Sequence, residues 1–264
     1  MATDPLPLTP AAGAALLPQV RARPHAGPAE PRLRLGPGAP VVLLPDWDDA
    51  ATAGVPHLLP LLALWLAREG LHVLVHRPGA PGRAEGATAV LASLGIAAAH
   101  DAIDVADRWA RREPAWVSSA LLAPAAVGDW RLALPAGTRP ALPLVPCTQA
   151  HEATAAAGWA RSSGALVLCL HGPFAAEARH GPWVEAWRGR EPRPGLGLAV
   201  IDEPLARWAP LPRGATAATA AVWVQDVLSG ARPLPEPLQR LASCVAGALR
   251  TLSLPLAAGA DSCL

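Results

Sequence analysis

The 264-residue chain has no lysine, no tyrosine and no asparagine, a single phenylalanine, and only 16% charged residues, against about a quarter in an average domain. Every fixed side-chain cation is therefore an arginine, a planar fork suited to carboxylates, phosphates and ring faces. The net charge of +1 excludes a global electrostatic drive toward nucleic acid or an anionic membrane. The four cysteines, Cys147, Cys169, Cys244 and Cys263, form no C-x-x-C pair, which argues against a zinc ribbon or a dithiol redox motif. In a chain of this size they fit a reducing compartment. The most apolar run, Val55 to Ala67, is interrupted by Pro60 and is shorter than a bilayer span. Met1 to Pro10 carries Asp4 and no cation, and no apolar signal-peptide core follows. The expectation is a cytoplasmic protein with no membrane partner. No G-x-x-x-x-G-K-[ST], G-x-S-x-G or H-E-x-x-H occurs, and neither Gly36-Pro37-Gly38 nor Gly195-Leu196-Gly197 extends to G-x-G-x-x-G. P-loop nucleotide chemistry, the hydrolase elbow, the zincin helix and the dinucleotide fingerprint are accordingly not indicated.

What is abundant is aliphatic sequence, punctuated by 31 prolines and 23 glycines. Residues 1–40 read as one short helix, Ala11 to Arg23, broken at Pro18, and a Pro/Gly-rich linker, Pro24 to Pro40. Arg21, Arg23, Arg32 and Arg34 lie in this segment as a solvated basic stretch or a phosphate contact. Residues 41–264 read as one domain. Strands are predicted at Val41 to Pro45, Leu71 to His76, Ala115 to Ser119, Ala165 to Leu170 and Leu198 to Asp202. Helices are predicted from His57 to Glu69, stopped by Gly70, and from Glu85 to Leu94, stopped by Gly95. A third runs from its cap Asp101 to Glu113. Further helices cover Gln149 to Ser162, Thr216 to Leu228 and Pro235 to Leu252. The Pro-rich stretch 120–147 resists assignment, and His180 to Pro194 reads as loop. Alternating strands and helices imply an α/β domain, a mostly parallel sheet with helices on both faces. Ligands in such sheets sit at the carboxyl ends of strands, which directs attention to the loops after Leu44, His76 and Leu170.

Three groups of residues carry chemistry. Asp46, Asp48 and Asp49 are hard-oxygen donors that suit a divalent cation, or simply a solvated acidic loop. Cys169 and His171 are two apart on one strand and face the same way, as a reactive pair or as a core cysteine beside a strand-end histidine. Arginine and tryptophan recur together, as Arg108, Trp109, Arg111, Arg112 and Trp116; Trp130 and Arg131; Trp159 and Arg161; and Trp187 and Arg188. Arginine on a phosphate with tryptophan stacked on a base suits a single strand; the alternative is arginine stems covering core rings. Arg108 and Arg112 are four apart and are expected on one helical face. Trp109 falls on the apolar side with Val105, as a core residue.

The segment Val41 to Ile96 resembles the phosphate-binding half of anthranilate phosphoribosyltransferases, and more closely their YbiB-type DNA-binding relatives in the nucleoside-phosphorylase superfamily. The residues that carry this are the strand Val41-Val42-Leu43-Leu44-Pro45 and the helix start His57-Leu58-Leu59-Pro60-Leu61-Leu62, set against N-L-T-P-L-L in the relatives. They continue through Leu64 to Gly70, the strand Val73-Leu74-Val75-His76, Gly82-Arg83, and Val90 to Ile96. Weaker likeness continues through Ala165 to Gly172, Trp223 to Gly230 and Pro233 to Glu236, so that it covers roughly residues 41 to 252. It implies a phosphoribosyltransferase-type catalytic domain. It also implies a small helical domain that helps form a dimer; most of that domain is not recognisable here, which leaves a homodimer open.

The same resemblance predicts a degenerate active site. The glycine-rich G-T-G-G-D loop, whose amides cradle pyrophosphate in that family, is replaced by Leu44-Pro45-Asp46-Trp47-Asp48. Pro45 has no N–H, and Asp46 and Trp47 bring charge and bulk where a polyanion lies. The hydroxyl-bearing N-x-S-T becomes His57-Leu58-Leu59-Pro60, and of H-G-N-R only His76 survives, followed by Arg77. The arginine that holds the aromatic acid falls near Pro135, and of the magnesium-binding Asp-Glu pair Glu177 is the one candidate. Two functions are expected, beside a third possibility, a plain interaction protein whose fold persists with both activities gone. One is nucleic-acid binding through Arg108, Arg112, Arg131 and Arg139, single strands favoured. The other is a residual small-molecule pocket formed by Asp46, Asp48, His76, Arg77 and Arg83, a divergent transferase or a sensor. In that pocket His76 is an acid–base candidate near neutrality or a hydrogen-bonded strand end, and Mg2+ is needed only if transfer survives.

Overall fold

The computed structural model describes residues 33, 35, 38–46, 58–76, 86–117, 121, 141–147, 150–163, 166–171, 183–188, 191–192 and 216–253. In chain order these form β1 (Val41–Pro45), α1 (Leu58–Arg68), β2 (His72–His76), α2 (Ala87–Ser93), α3 (Ala102–Ala110), β3 (Ala115–Val117), β4 (Ala141–Cys147), α4 (Ala150–Ser163), β5 (Leu166–His171), β6 (Trp183–Arg188), β7 (Glu191–Pro192), α5 (Ala217–Leu228) and α6 (Glu236–Ser253). One sheet has the order β3-β2-β1-β4-β5-β6-β7. Its first five strands run parallel, with Val41 opposite His72 and Ala141, and Leu144 opposite Leu168. The strands β6 and β7 add antiparallel pairs at one edge.

Period-two alternation divides the core between two faces. Val42, Leu44, Val73, Val75, Leu142, Leu144, Leu166, Leu168 and Leu170 point to the side covered by α1, α2, α5 and α6. Val41, Leu43, Leu74, Ala115 and Val117 point the other way, against Val105 and Trp109 of α3. On that same side Val145, Cys147, Val167 and Cys169 meet Ala156 and Ala160 of α4. The mostly parallel sheet with helices on both faces is therefore as expected. Leu33 and Leu35, from the Pro/Gly-rich stretch before β1, are buried in the α3-side core, and Leu33 N donates to Leu121 O at 2.8 Å.

Local chemistry explains the helix limits. Nine of the eleven α1 residues are buried, because α2, α5 and α6 pack around it. Gly70 ends it at φ +84, a left-handed turn that costs glycine nothing. At α3 the Asp101 carboxylate accepts from Ile103 N at 2.8 Å and Asp104 N at 2.9 Å, and Asp104 accepts in return from His100 N, so the first-turn amides are satisfied from both directions.

Three predicted assignments change. β4 runs through the stretch left unassigned, despite Pro143 and Pro146. It pairs with β1 over Ala141–Pro143 and with β5 over Leu144–Cys147, and these short overlaps limit what two missing N–H groups cost. The expected loop at 180–194 contains β6 and β7. The helix from Asp101 stops at Ala110 rather than Glu113. The predicted helix 11–23 and strand 198–202 lie outside the described residues. Among the described residues no helix is long and apolar enough to cross a membrane.

Candidate functional site

The carboxyl ends of β1 and β2 are joined at their last pair, Pro45 opposite His76. The ladder then gains one more bond, Asp46 N donating to His76 O at 2.6 Å. This fixes Asp46 just past the strand end, 7% exposed. Its carboxylate reaches the first turn of α2: Oδ1 accepts from Ala87 N at 2.7 Å, and Oδ2 accepts from Thr88 Oγ1 at 2.9 Å and, more weakly, Thr88 N at 3.4 Å. The α2 helix has Gly86 at its cap position, with no capping side chain of its own, so Asp46 caps it from forty residues away. A carboxylate there is favoured by the free amides and by the helix dipole. The fit requires glycine: a Cβ on Gly86 would lie 2.7 Å from Asp46 Oδ2 and 2.8 Å from Oδ1.

His76 is 1% exposed, and its Nδ1 is buried with no hydrogen-bond partner. Burial alone lowers its pKa from 6.5 to about 3, because a desolvated imidazolium is disfavoured. His76 is thus neutral at neutral pH and offers no imidazolium as an acid, and its strand end is tied through its carbonyl to Asp46 N rather than through Nδ1.

Asp48, Arg77 and Arg83 of the expected pocket lie outside the described residues, as do Glu177, Arg131 and Arg139. Among the described residues no group of three His, Cys, Asp or Glu side chains could hold a metal ion. Cys169 is fully buried against α4, as a core residue. Sequence reasoning did not single out Gly86 or Thr88. Their only signal is a helix start, Gly86-Ala87-Thr88, that carries no capping side chain at its first position.

No protein-family model matches this chain, and neither does any curated protein. Solved structures do. Anthranilate phosphoribosyltransferase from Thermus thermophilus superposes with a TM-score of 0.56 over 84% of this chain and 75% of that one, at 20% identity. The chain shares the phosphoribosyltransferase fold. The Saccharomyces cerevisiae anthranilate phosphoribosyltransferase, solved with PRPP and Mg, gives a TM-score of 0.52 at 12% identity, over 83% of this chain and 65% of that one.

On this phosphoribosyltransferase-type sheet, the expected nucleic-acid residues divide. The Arg108 side chain is 13% exposed, with Nη1 3.5 Å from Glu113 Oε2 and Nε buried without a partner. Arg112 follows the end of α3 with φ +58, so the two arginines do not share a helical face. Arg111, also exposed, lies 3.4 Å from Glu113. Trp109 belongs to the core, as expected: its ring stacks on His72 at 4.6 Å between centroids, and Nε1 donates to Val73 O at 2.9 Å. Trp116 Nε1 donates to Ile96 O at 2.8 Å. Neither indole is a free stacking platform.

Proposed function

We propose that this chain uses a phosphoribosyltransferase-type fold for binding, without phosphoribosyl transfer. The observation that supports this reading is the Asp46 carboxylate on the first-turn amides of α2. The yeast neighbour was solved with PRPP and Mg, and a pyrophosphate depends on free amides and cations for neutralisation. Here amides at the ligand end of the sheet are already satisfied by an anion from the same chain. A phosphate brought near it meets like charge, and displacing Asp46 would strand a buried carboxylate. Isothermal titration of the purified protein with phosphoribosyl pyrophosphate and Mg2+, together with a pyrophosphate-release assay using anthranilate as acceptor, tests it. No saturable heat and no release are expected. Mg2+-dependent micromolar binding would refute the proposal and favour a divergent transferase or a sensor.

A second reading, nucleic-acid binding, draws on the exposed Arg111 and Arg112 after α3. With Trp109 and Trp116 turned inward, the contact would be to phosphate, sequence-independent and steeply salt-sensitive. Fluorescence anisotropy with labelled mixed-sequence oligonucleotides, single- and double-stranded, at low and physiological salt, tests this reading. Weakening by Arg111→Ala/Arg112→Ala supports it, and no binding at low salt removes it.

A further inference from the structure

A groove lies at the amino ends of β1 and β2, the opposite end of these strands from Asp46 and His76. It encloses about 790 Å3 between the last turns of α1 and the length of α6, within the usual size range of small-molecule sites. Its walls are uneven in a way that leaves room for a flat or branched group. Half-buried Trp65 stands on the α1 side, Leu71 closes the sheet end, and α6 lines the other wall with the small side chains of Ala242, Ser243 and Ala246 between the longer Gln239, Leu249 and Arg250.

Among the described residues the same groove is lined by one acid, Glu69 just past the end of α1, by Arg250 in the last turn of α6, and by His72, whose ring stacks on Trp109. Elsewhere on the described surface, neighbouring opposite charges join: Arg232 with Asp226, Arg240 with Glu236, and Arg108 and Arg111 with Glu113. Glu69 and Arg250 do not. Neither side chain forms an ion pair or hydrogen bond with the other or with any described residue. The Arg250 guanidinium lies back over Gly247, 3.7 Å from where a Cβ would be. Two opposite charges that line one groove without pairing, together with an aromatic side chain, form a template for a molecule carrying both charges and an apolar body.

We propose that this groove binds a small zwitterion with an apolar or aromatic side chain. Its ammonium is held by Glu69, its carboxylate by the Arg250 fork, and its side chain lies on Trp65. An arginine fork suits a carboxylate, and the indole supplies a rigid apolar face. The site is independent of the function proposed above, since it shares no residue with the Asp46 end of the sheet.

The test is calorimetric titration of the full chain with L-phenylalanine and L-leucine, with phenylacetate and phenethylamine as one-charge analogues. Saturable binding is expected for at least one amino acid, about tenfold tighter than for either analogue. Glu69→Gln is expected to erase the preference over phenylacetate, and Arg250→Gln the preference over phenethylamine. Both substitutions are on exposed side chains and leave the fold intact. Ala246→Trp, which fills the groove, is expected to abolish binding with an unchanged circular dichroism spectrum; where it fails to fold, the two charge variants decide. Absence of saturable binding by both amino acids at millimolar concentration overturns the proposal, as does binding that both charge variants leave unchanged.

Discussion

Acid should find His76 before it finds most of the fold. Burial holds its folded-state pKa near 3, against 6.5 in the unfolded chain. Above pH about 7 neither state carries the proton, and the full stability is present. As the pH falls from about 6.5 toward 3, the unfolded chain takes up a proton that the folded chain refuses. Stability is then lost at about 1.4 kcal/mol per pH unit. Between pH 7.5 and 4.5 the loss from this one residue comes to about 2.7 kcal/mol, since pH 4.5 lies two units below the unfolded pKa. That is a large share of the roughly 5–15 kcal/mol that holds a domain folded. The comparison is with His76→Leu, which fills the buried site without a titrating group and removes an unpartnered Nδ1. Urea unfolding of both proteins at half-unit pH steps gives a difference curve in which the carboxylates and the other seven histidines cancel. The variant is expected to gain on the wild type by about 2–3 kcal/mol as the pH drops to 4.5. A difference curve that stays flat from pH 7.5 to 4.5 would mean that His76 is not buried and neutral in the folded protein, and the reasoning fails.

Asp46→Ala removes the carboxylate from Ala87 N, Thr88 N and Thr88 Oγ1 and is expected to cost about 2–4 kcal/mol in urea unfolding at neutral pH. Gly86→Ala places a methyl within 2.8 Å of both Asp46 oxygens and is expected to cost about as much. In an Asp46→Ala background the same change should become nearly neutral, so a double-mutant cycle that comes out additive refutes the contact. Asp101→Ala at the start of α3 should lower stability by about 1 kcal/mol, with the loss read from the urea midpoint at constant slope. Trp109→Phe keeps the apolar ring but leaves Val73 O without the indole donor. It should cost about 1–3 kcal/mol, and an unchanged midpoint would count against that hydrogen bond.

The parts of the fold that were legible in the sequence are those where one local signal suffices. Uninterrupted aliphatic runs mark β1, β2 and β5, and Gly70 and Gly95 mark the ends of α1 and α2. Asp101 marks the start of α3. The parts that were not legible depend on partners. β4 contains Pro143 and Pro146, which argue against an interior strand; its strand character comes from being shared between β1 and β5 in succession. β6 has no strict alternation to betray it, and its pairing is set by β5 alongside it. Arg108 and Arg112 were placed on one face by extending helical periodicity past Ala110, where the chain turns left-handed at Arg112. In the site, the aliphatic runs locate the strand ends at Asp46 and His76. Their physical states are not legible, because the groups that set them are backbone amides of α2 and packing around β2, and backbone amides leave no trace in a sequence.

On the proposed reading, Asp46 turns the ligand end of the sheet into structure. Its amide extends the β1–β2 ladder through His76 O, while its carboxylate caps α2. One residue thus ties two strand ends to a helix start. A phosphate seeking those amides must displace a carboxylate that has three contacts, is covalently tethered, and therefore acts at a very high effective concentration. If the displaced contacts are worth about 3 kcal/mol, the intruding ligand loses roughly 150-fold in affinity before any repulsion is counted. Gly86 is the complement of the same arrangement, since it is the absence of its Cβ that lets the carboxylate approach. The glycine that brings an anion close to these amides serves an anion that the protein itself supplies. On the proposed reading the closure is built into the packing of the strand ends, and opening it would cost the fold one of its helix caps.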